Sequence, residues 1–297
     1  MTKTSFKSGY IAIAGRPNVG KSTLFNALIG ERLSIISPKP QTTRTNILGI
    51  VTDGDAQMVF LDTPGLLDVR YRLHEFMHKQ IRDAIESADI LLGIVDATHF
   101  DTTCDEEVQK TFKTWQVPKV IALNKSDLVE KEQIETAIQH IRKTLDTPTV
   151  LAVSATTGYN LPHLFEALLK ALPIGPQFYP EDQLATQPER FFVAEFIREE
   201  LFLQLHQELP YSVAVAIEEF REDRSKVYIQ ANILVERTSQ KGIVIGSGGR
   251  TLKTIGQHAR KKIEAFLERP VFLDLHVKVF ENWRKKDSAL RDLGYGI

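Results

Sequence analysis

The eight residues Gly15-Arg16-Pro17-Asn18-Val19-Gly20-Lys21-Ser22 constrain this chain more than any other stretch. They read G-x-x-x-x-G-K-[ST], a pattern that cradles phosphates when a strand precedes it and a helix follows. An apolar run, Tyr10 to Ala14, comes before it, and Thr23-Leu24-Phe25-Asn26-Ala27-Leu28 follows with helical character. Glycines let successive N–H groups turn inward, which makes an anion nest at a helix N-terminus. In such a loop Lys21 reaches the β- and γ-phosphates and the Ser22 hydroxyl ligates Mg²⁺.

A chain of 297 residues predicts two domains. With 42% hydrophobic and 25% charged residues it has a globular composition. Cys104 stands alone, so neither an intramolecular disulfide nor a four-cysteine zinc site can form, and a reducing cytosol is the expected home. No apolar stretch approaches the length of a membrane span. The net charge of −1 hides an asymmetry: residues 181–240 hold 6 Lys+Arg against 12 Asp+Glu, and residues 241–297 hold 12 against 6. The basic end suggests a polyanionic partner, with an ordinary solvated basic face as the alternative.

Short apolar strands alternate with amphipathic helices up to about residue 172. The strands expected are Tyr10–Ala14, Ile47–Thr52, Gln57–Leu61, Ile90–Val95, Lys119–Leu123 and Thr149–Val153. This order predicts an α/β domain over residues 1–172, with a mixed, mostly parallel sheet and helices on both faces. Asp53-Gly54-Asp55-Ala56 joins two strands as a hairpin and predicts one antiparallel pair. Pro173, Pro176, Pro180 and Pro188 then interrupt any regular element, so residues 173–189 read as a stiff linker. Over 190–297 the order becomes helix, two strands, two helices and a strand, which predicts a smaller α+β domain.

Three later segments narrow the nucleotide. Asp62-Thr63-Pro64-Gly65 closes one strand, where Asp62 would hold the Mg²⁺ hydration shell and the Gly65 amide would face the γ-phosphate. Asn124-Lys125-Ser126-Asp127 closes another; the Asp127 carboxylate can accept from N1–H and N2–H₂ of guanine, whereas adenine offers it a lone pair. Ser154-Ala155-Thr156 follows the next strand and could present the Ala155 N–H to guanine O6. Each segment alone could be an ordinary turn. Their shared position after strands points to a guanine nucleotide.

From about Ser8 to Leu172 the chain resembles the translation-factor-related class of P-loop GTPases. The resemblance implies a nucleotide-contacting set of Asn18, Val19, Gly20, Lys21, Ser22, Thr23, Asp62, Asn124, Lys125, Asp127, Ser154, Ala155 and Thr156. Ser22, Thr43 and Asp62 would hold Mg²⁺, and Lys21, Thr43 and Gly65 would serve hydrolysis. Thr43, with Thr42 the alternative, fits the first switch, and the helix from about Leu73 belongs to the second. Leu66 stands where Ras-like enzymes carry a water-orienting Gln, so slow intrinsic turnover is expected. Similar GTPases with an apolar residue there often use K⁺ held by an Asn of the phosphate loop, and Asn18 occupies that position. His74-Glu75-Phe76-Met77-His78 matches the zinc-protease pattern H-E-x-x-H, but no third ligand is identifiable; solvent-facing histidines on a switch helix are the better expectation.

Ile243 to Gly256, centred on Gly246-Ser247-Gly248-Gly249, resembles the nucleic-acid-binding core of a prokaryotic-type (type II) KH domain. A helix–GXXG–helix turn brings backbone N–H groups and a helix N-terminus onto a phosphodiester. Arg250 and Lys253, with Arg260, Lys261 and Lys262, supply charge, while Ile243, Ile245, Leu252 and Ile255 would form an apolar groove for unstacked bases. Ser247-Gly248 replaces the basic residues usual in such loops, which leaves phosphate contact to Arg250 and Lys253. Trp283-Arg284-Lys285-Lys286 suits either stacking on RNA or a packed Trp on a solvated tail.

A GTPase domain, a proline-rich linker and a KH domain, in that order, resemble the Era family over nearly the whole chain. The resemblance implies GTP hydrolysis with Mg²⁺ and nucleotide-controlled binding of the single-stranded 3′ end of 16S ribosomal RNA. It further implies assistance to 30S subunit maturation, a monomer, and a cytoplasmic protein peripherally associated with the inner membrane. Two alternatives stay open: an RNA-binding assembly factor for which GTP is only a ligand, and a regulatory GTPase whose C-terminal domain binds protein.

Overall fold

The computed structural model describes residues 6–66, 71–147 and 149–295. Two compact units emerge: Met1–Ser34, Thr43–Asp68 and Met77–Thr186 make the first, and Ile35–Thr42, Val69–Phe76 and Gln187–Ile297 the second.

In the first unit, strands β1 (Lys7–Ala14), β2 (Ile47–Asp53), β3 (Ala56–Asp62), β4 (Ile90–Asp96), β5 (Lys119–Asn124) and β6 (Val150–Ala152) form one sheet in the order β2-β3-β1-β4-β5-β6. Only β2 and β3 run antiparallel, around the turn at Gly54 (φ +54°), as the hairpin signal predicts. Ile11, Ala12 and Ile13 in β1 and Ile90, Leu91 and Leu92 in β4 are fully buried, the continuous apolar runs of strands covered on both faces. Helices α1 (Lys21–Ile29), α2 (Arg72–Glu86, of which Met77–Glu86 belong to this unit), α3 (Phe100–Thr103), α4 (Glu106–Thr114), α5 (Lys131–Leu145) and α6 (Leu161–Ala171) follow in chain order. Their boundaries have local causes. Gly30 closes α1 in a left-handed conformation (φ +82°), its N–H returning to Asn26 O. Asp105 caps α4 by accepting from the Val108 N–H at 3.1 Å. One core cluster includes Ile81, Ala84 and Ile85 of α2, Phe112 of α4, Ile141 of α5 and strand residues Leu91, Val95 and Leu123.

The proline-rich stretch groups with this unit as far as Thr186. Ser8 N–H donates to Pro173 O (3.1 Å), Ile174 bridges Lys7, and Ala185 bridges Gly49 on the edge strand β2. Prolines supply no N–H, and one fully buried side chain serves two of the donors that remain in this segment. Gln57 Oε1 accepts from Phe178 N–H (2.9 Å) and Tyr179 N–H (3.0 Å), and its Nε2 donates to Tyr179 O (2.9 Å). Residues of the segment expected as a linker thus bond to β1 and β3, and at Leu184 and Ala185 to the edge strand β2.

The second unit holds α7 (Glu189–Gln204), β7 (Ala214–Glu222), β8 (Val227–Val235), α8 (Thr238–Ile245), α9 (Arg250–Leu267), β9 (Val271–Val279) and a short α10 (Asp287–Asp292). Its sheet runs β7-β8-β9, with β8 antiparallel to β7 and parallel to β9. Trp283 is fully buried and its Nε1–H donates to Ser212 O at 3.0 Å, so of the two readings the packed Trp holds. Much of the basic excess is neutralised inside the unit, where Lys262 pairs with Glu199 and Glu200, Arg284 with Glu236 and Arg269 with Glu222. Among the described residues no helix is long and apolar enough to cross a membrane.

Candidate functional site

The loop 15–20 leaves the carboxyl end of β1, between β3 on one side and β4 on the other, where the sheet order reverses. Ligand loops converge at such a point. Gly20 lies at φ +96°, and a Cβ there would stand 2.3 Å from Asn124 Nδ2, so only glycine lets the loop close on its neighbour. Lys21 is buried; its ammonium donates to Gly15 O (3.1 Å) and Arg16 O (2.8 Å). Burial pushes its pKa down to about 8, with the Asp62 carboxylate opposing that shift.

Ser22, Thr43 and Asp62 come together as predicted for a metal. Ser22 Oγ donates to Asp62 Oδ2 (2.9 Å), and Thr43 Oγ1 lies 3.1 Å from Ser22 Oγ and 3.3 Å from Asp62 Oδ2. Thr43, not Thr42, joins this cluster. Ser34, which carried no sequence signal, donates to the same carboxylate at 2.6 Å. Asp62 Oδ1 is buried and accepts no hydrogen bond from any described residue. Burial raises the Asp62 pKa, while Ser34, Lys21, Ser22 and Thr43 pull it down in part. An unpartnered carboxylate oxygen among hydroxyls is a hard oxygen donor set, and it fits Mg²⁺.

On the base side, Asn124 is buried and acts as a brace, donating from Nδ2 to Val19 O (2.9 Å) and accepting from the Ala155 N–H (3.0 Å). The Ala155 N–H, expected to face guanine O6, is therefore engaged by Asn124; a buried amide oxygen takes the nearest donor. Lys125, at φ +63°, donates to Asn18 O (2.8 Å) and pairs with Asp96. Asp96 ends β4 at the same sheet edge as the other site residues, a positional signal that sequence reading overlooked. Ser126 Oγ is tied to Val153 O (2.9 Å), and Ser154 Oγ accepts from the Thr157 N–H (3.1 Å). Asp127, Thr156 and Asn18 are exposed and Thr23 is half-buried.

Leu66 packs in the core of the first unit, and its N–H donates to Gly15 O at 3.3 Å. The residue at the water-orienting position is thus anchored away from solvent. His74 corrects the expectation of solvent-facing histidines. It is only 2% exposed, lies against the Tyr71 ring with centroids 3.9 Å apart, and has Nε2 3.3 Å from Gln41 Oε1. His78 is half-buried, and among the described residues no group of His, Cys, Asp and Glu is placed to hold a metal ion.

In the second unit, Gly246 (φ +72°) ends α8, and a Cβ there would meet Thr251 Oγ1 at 2.2 Å and the Thr251 backbone N at 3.0 Å. Gly248 and Gly249 are also left-handed, Ser247 is exposed, and Arg250 Nε donates to Ser247 O at 3.2 Å. A groove of about 420 Å³ runs beside them, lined by Gly249, Leu252, Lys253, Arg260, Leu273 and Leu275. Two expectations need correction. Ile255 is fully buried in the core, and its place in the groove is taken by Leu273 and Leu275 of β9; Lys262 is held by two buried carboxylates and does not belong to the free cationic face.

A phosphate loop with a guanine-type base loop on a mostly parallel sheet, followed by a GXXG turn on a three-stranded sheet, defines a P-loop GTPase joined to a KH domain. Residues 10–125 match the 50S ribosome-binding GTPase family and residues 208–284 the KH domain family. GTPase Era of Halothermothrix orenii is 43% identical over 292 residues, which span 98% of this chain and 99% of that protein. The crystal structure of Era with MgGDPNP and nucleotides 1506–1542 of 16S ribosomal RNA superposes with a TM-score of 0.95 at 38% identity, covering 98% of this chain and 100% of that one. A variant of Aquifex aeolicus Era bound to GDP·AlF4− gives 0.93 at 36% identity, with 98% and 100% covered. The chain belongs to the GTPase Era family.

Proposed function

We propose that this GTPase holds the 3′ end region of 16S ribosomal RNA in the groove between α9 and β9 while GTP is bound, and thereby assists 30S subunit maturation. The carrying observation is the pairing, in one chain, of an orphaned buried Asp62 oxygen beside a phosphate loop with a GXXG groove rimmed by Lys253 and Arg260. The related Era structure holds both a GTP analogue with Mg²⁺ and that RNA.

Ser22, Thr43 and Asp62 would hold Mg²⁺, which supplies charge neutralisation of the phosphates when bound. Lys21 supplies a cation at the phosphates, the Gly65 N–H a donor at the γ-phosphate, and Asp127 an acceptor for guanine N1–H and N2–H₂. Asn18 would contribute a ligand for K⁺. Reciprocal linkage then requires that whatever binds RNA more tightly in one nucleotide state also favours that state.

The test is anisotropy titration of a fluorescent 16S 3′-end oligonucleotide with GDPNP or GDP bound. Tighter binding with GDPNP is expected. Arg250→Ala with Lys253→Ala should reduce the slope of log K against log salt by about 1.4, at roughly 0.7 for each phosphate no longer neutralised. RNA affinity that is insensitive to salt and to both substitutions refutes the RNA reading and favours a protein-binding C-terminal domain. The family resemblance further implies a cytoplasmic monomer with peripheral inner-membrane association; light scattering and vesicle flotation test those two points.

A further inference from the structure

Arg16 is a cation within the phosphate loop whose guanidinium is bonded to carboxylates at the start of α4. Its Nε donates to Asp105 Oδ2 at 2.6 Å, Nη2 reaches the same oxygen, and Nη1 pairs with Glu107 Oε2 at 2.5 Å. Nη1 also donates to Leu66 O at 3.3 Å, while the Leu66 N–H donates to Gly15 O at 3.3 Å. Residue 66 is therefore held at both backbone groups by residues 15 and 16, and its side chain is sunk in the core. One of the anchors is itself tied to a helix end, because Asp105 caps α4: its Oδ1 accepts from the Val108 N–H while Oδ2 holds Arg16.

We propose that Arg16 is a positioning residue for GTP hydrolysis: anchored by Asp105 and Glu107, it fixes the backbone of Leu66 against the phosphate loop and so holds the Gly65 N–H at the γ-phosphate. A leucine at 66 cannot orient water, so the alignment of the backbone donor carries more of the catalytic task. A bound geometry displaced by a fraction of an ångström loses rate steeply. The inference rests on reading Gly65 as a γ-phosphate donor.

Four measurements test it: single-turnover hydrolysis rate, affinity for GDP, affinity for GDPNP, and thermal midpoint. Arg16→Ala should lower the rate about ten- to a hundredfold and weaken GDPNP relative to GDP, with GDP affinity within about twofold. Arg16→Lys should rescue little, because a point-charge ammonium cannot present a planar fork to two carboxylates and a carbonyl. Asp105→Asn with Glu107→Gln keeps a capping acceptor for α4 yet unseats Arg16. It should reproduce the rate loss and add nothing in the Arg16→Ala background. An unchanged rate, or equal losses for GDP and GDPNP, overturns the inference. A preference for GDPNP over GDP that Gly65→Pro leaves unchanged, although it removes the donor, would instead overturn the reading of Gly65, whereas a preference lost in Gly65→Pro but kept in Arg16→Ala overturns the inference alone.

Discussion

Asn124→Ala should uncouple the two halves of the nucleotide site. The side chain is 2% exposed and makes two hydrogen bonds, from Nδ2 to Val19 O at 2.9 Å and from the Ala155 N–H to Oδ1 at 3.0 Å. Truncation leaves a buried carbonyl in the phosphate loop and a buried N–H in the base loop, each costing about 1–3 kcal/mol when unsatisfied. Two such groups cost about 2–6 kcal/mol, and partial relaxation of two surface-reaching loops brings that toward the lower half. For a domain of this size, about 2–4 kcal/mol corresponds to a midpoint drop on the order of 5–15 °C. Because the lost brace joins loops that grip opposite ends of one ligand, GDP affinity should also fall, by about tenfold for each 1.4 kcal/mol of realignment cost. Asn124→Asp keeps the acceptor for Ala155 but turns the donor to Val19 into a repulsion, so its affinity loss should persist with the Ala155 hydrogen bond intact. Calorimetric GDP titration and thermal denaturation of the three proteins measure both quantities. GDP affinity within twofold and a midpoint within about 1 °C in Asn124→Ala would refute the bracing argument.

Asp127→Asn should shift preference from guanosine toward xanthosine nucleotides, since an amide donor matches the O2 of xanthine; unchanged GTP selectivity in competition titrations contradicts this. Burial lowers the Lys21 pKa from 10.5 to about 8, so the folded protein binds fewer protons than the unfolded chain between those values. The stability that Lys21 contributes without nucleotide should therefore rise as pH goes from about 8 to 10.5, read as the difference between the wild-type and Lys21→Met profiles, because the raised Cys104 and Tyr10 pKa values act in the opposite direction in both proteins. Hydrolysis should be faster in KCl than in NaCl at matched ionic strength; equal rates remove Asn18 as a K⁺ ligand. Gly246→Ala, whose Cβ would stand 2.2 Å from Thr251 Oγ1, should abolish RNA binding in a filter assay while GDP affinity stays unchanged.

Local chemistry made much of this molecule legible before its folding was known. The run of apolar strands and amphipathic helices determined the α/β sheet, because a strand buried on both faces has to be apolar throughout. The hairpin at Gly54 determined its one antiparallel pair, and the motifs ending at Ser22, Gly65 and Asp127 lie at the ends of strands that the sheet brings to one side. Gly246 announced a turn that only a residue without a side chain can make. What only the tertiary structure decided depends on partners far apart in sequence, for which no local pattern exists. Gln57 serves Tyr179 across 122 positions, and Arg16 meets Asp105 across 89. The same distance effect put His74 in the interior, seated Trp283 on Ser212 and set Leu273 and Leu275 beside Leu252 in the groove, in the place expected for Ile255. Periodicity tells which face of an element is apolar; only packing tells what that face, and each charge beside it, is set against.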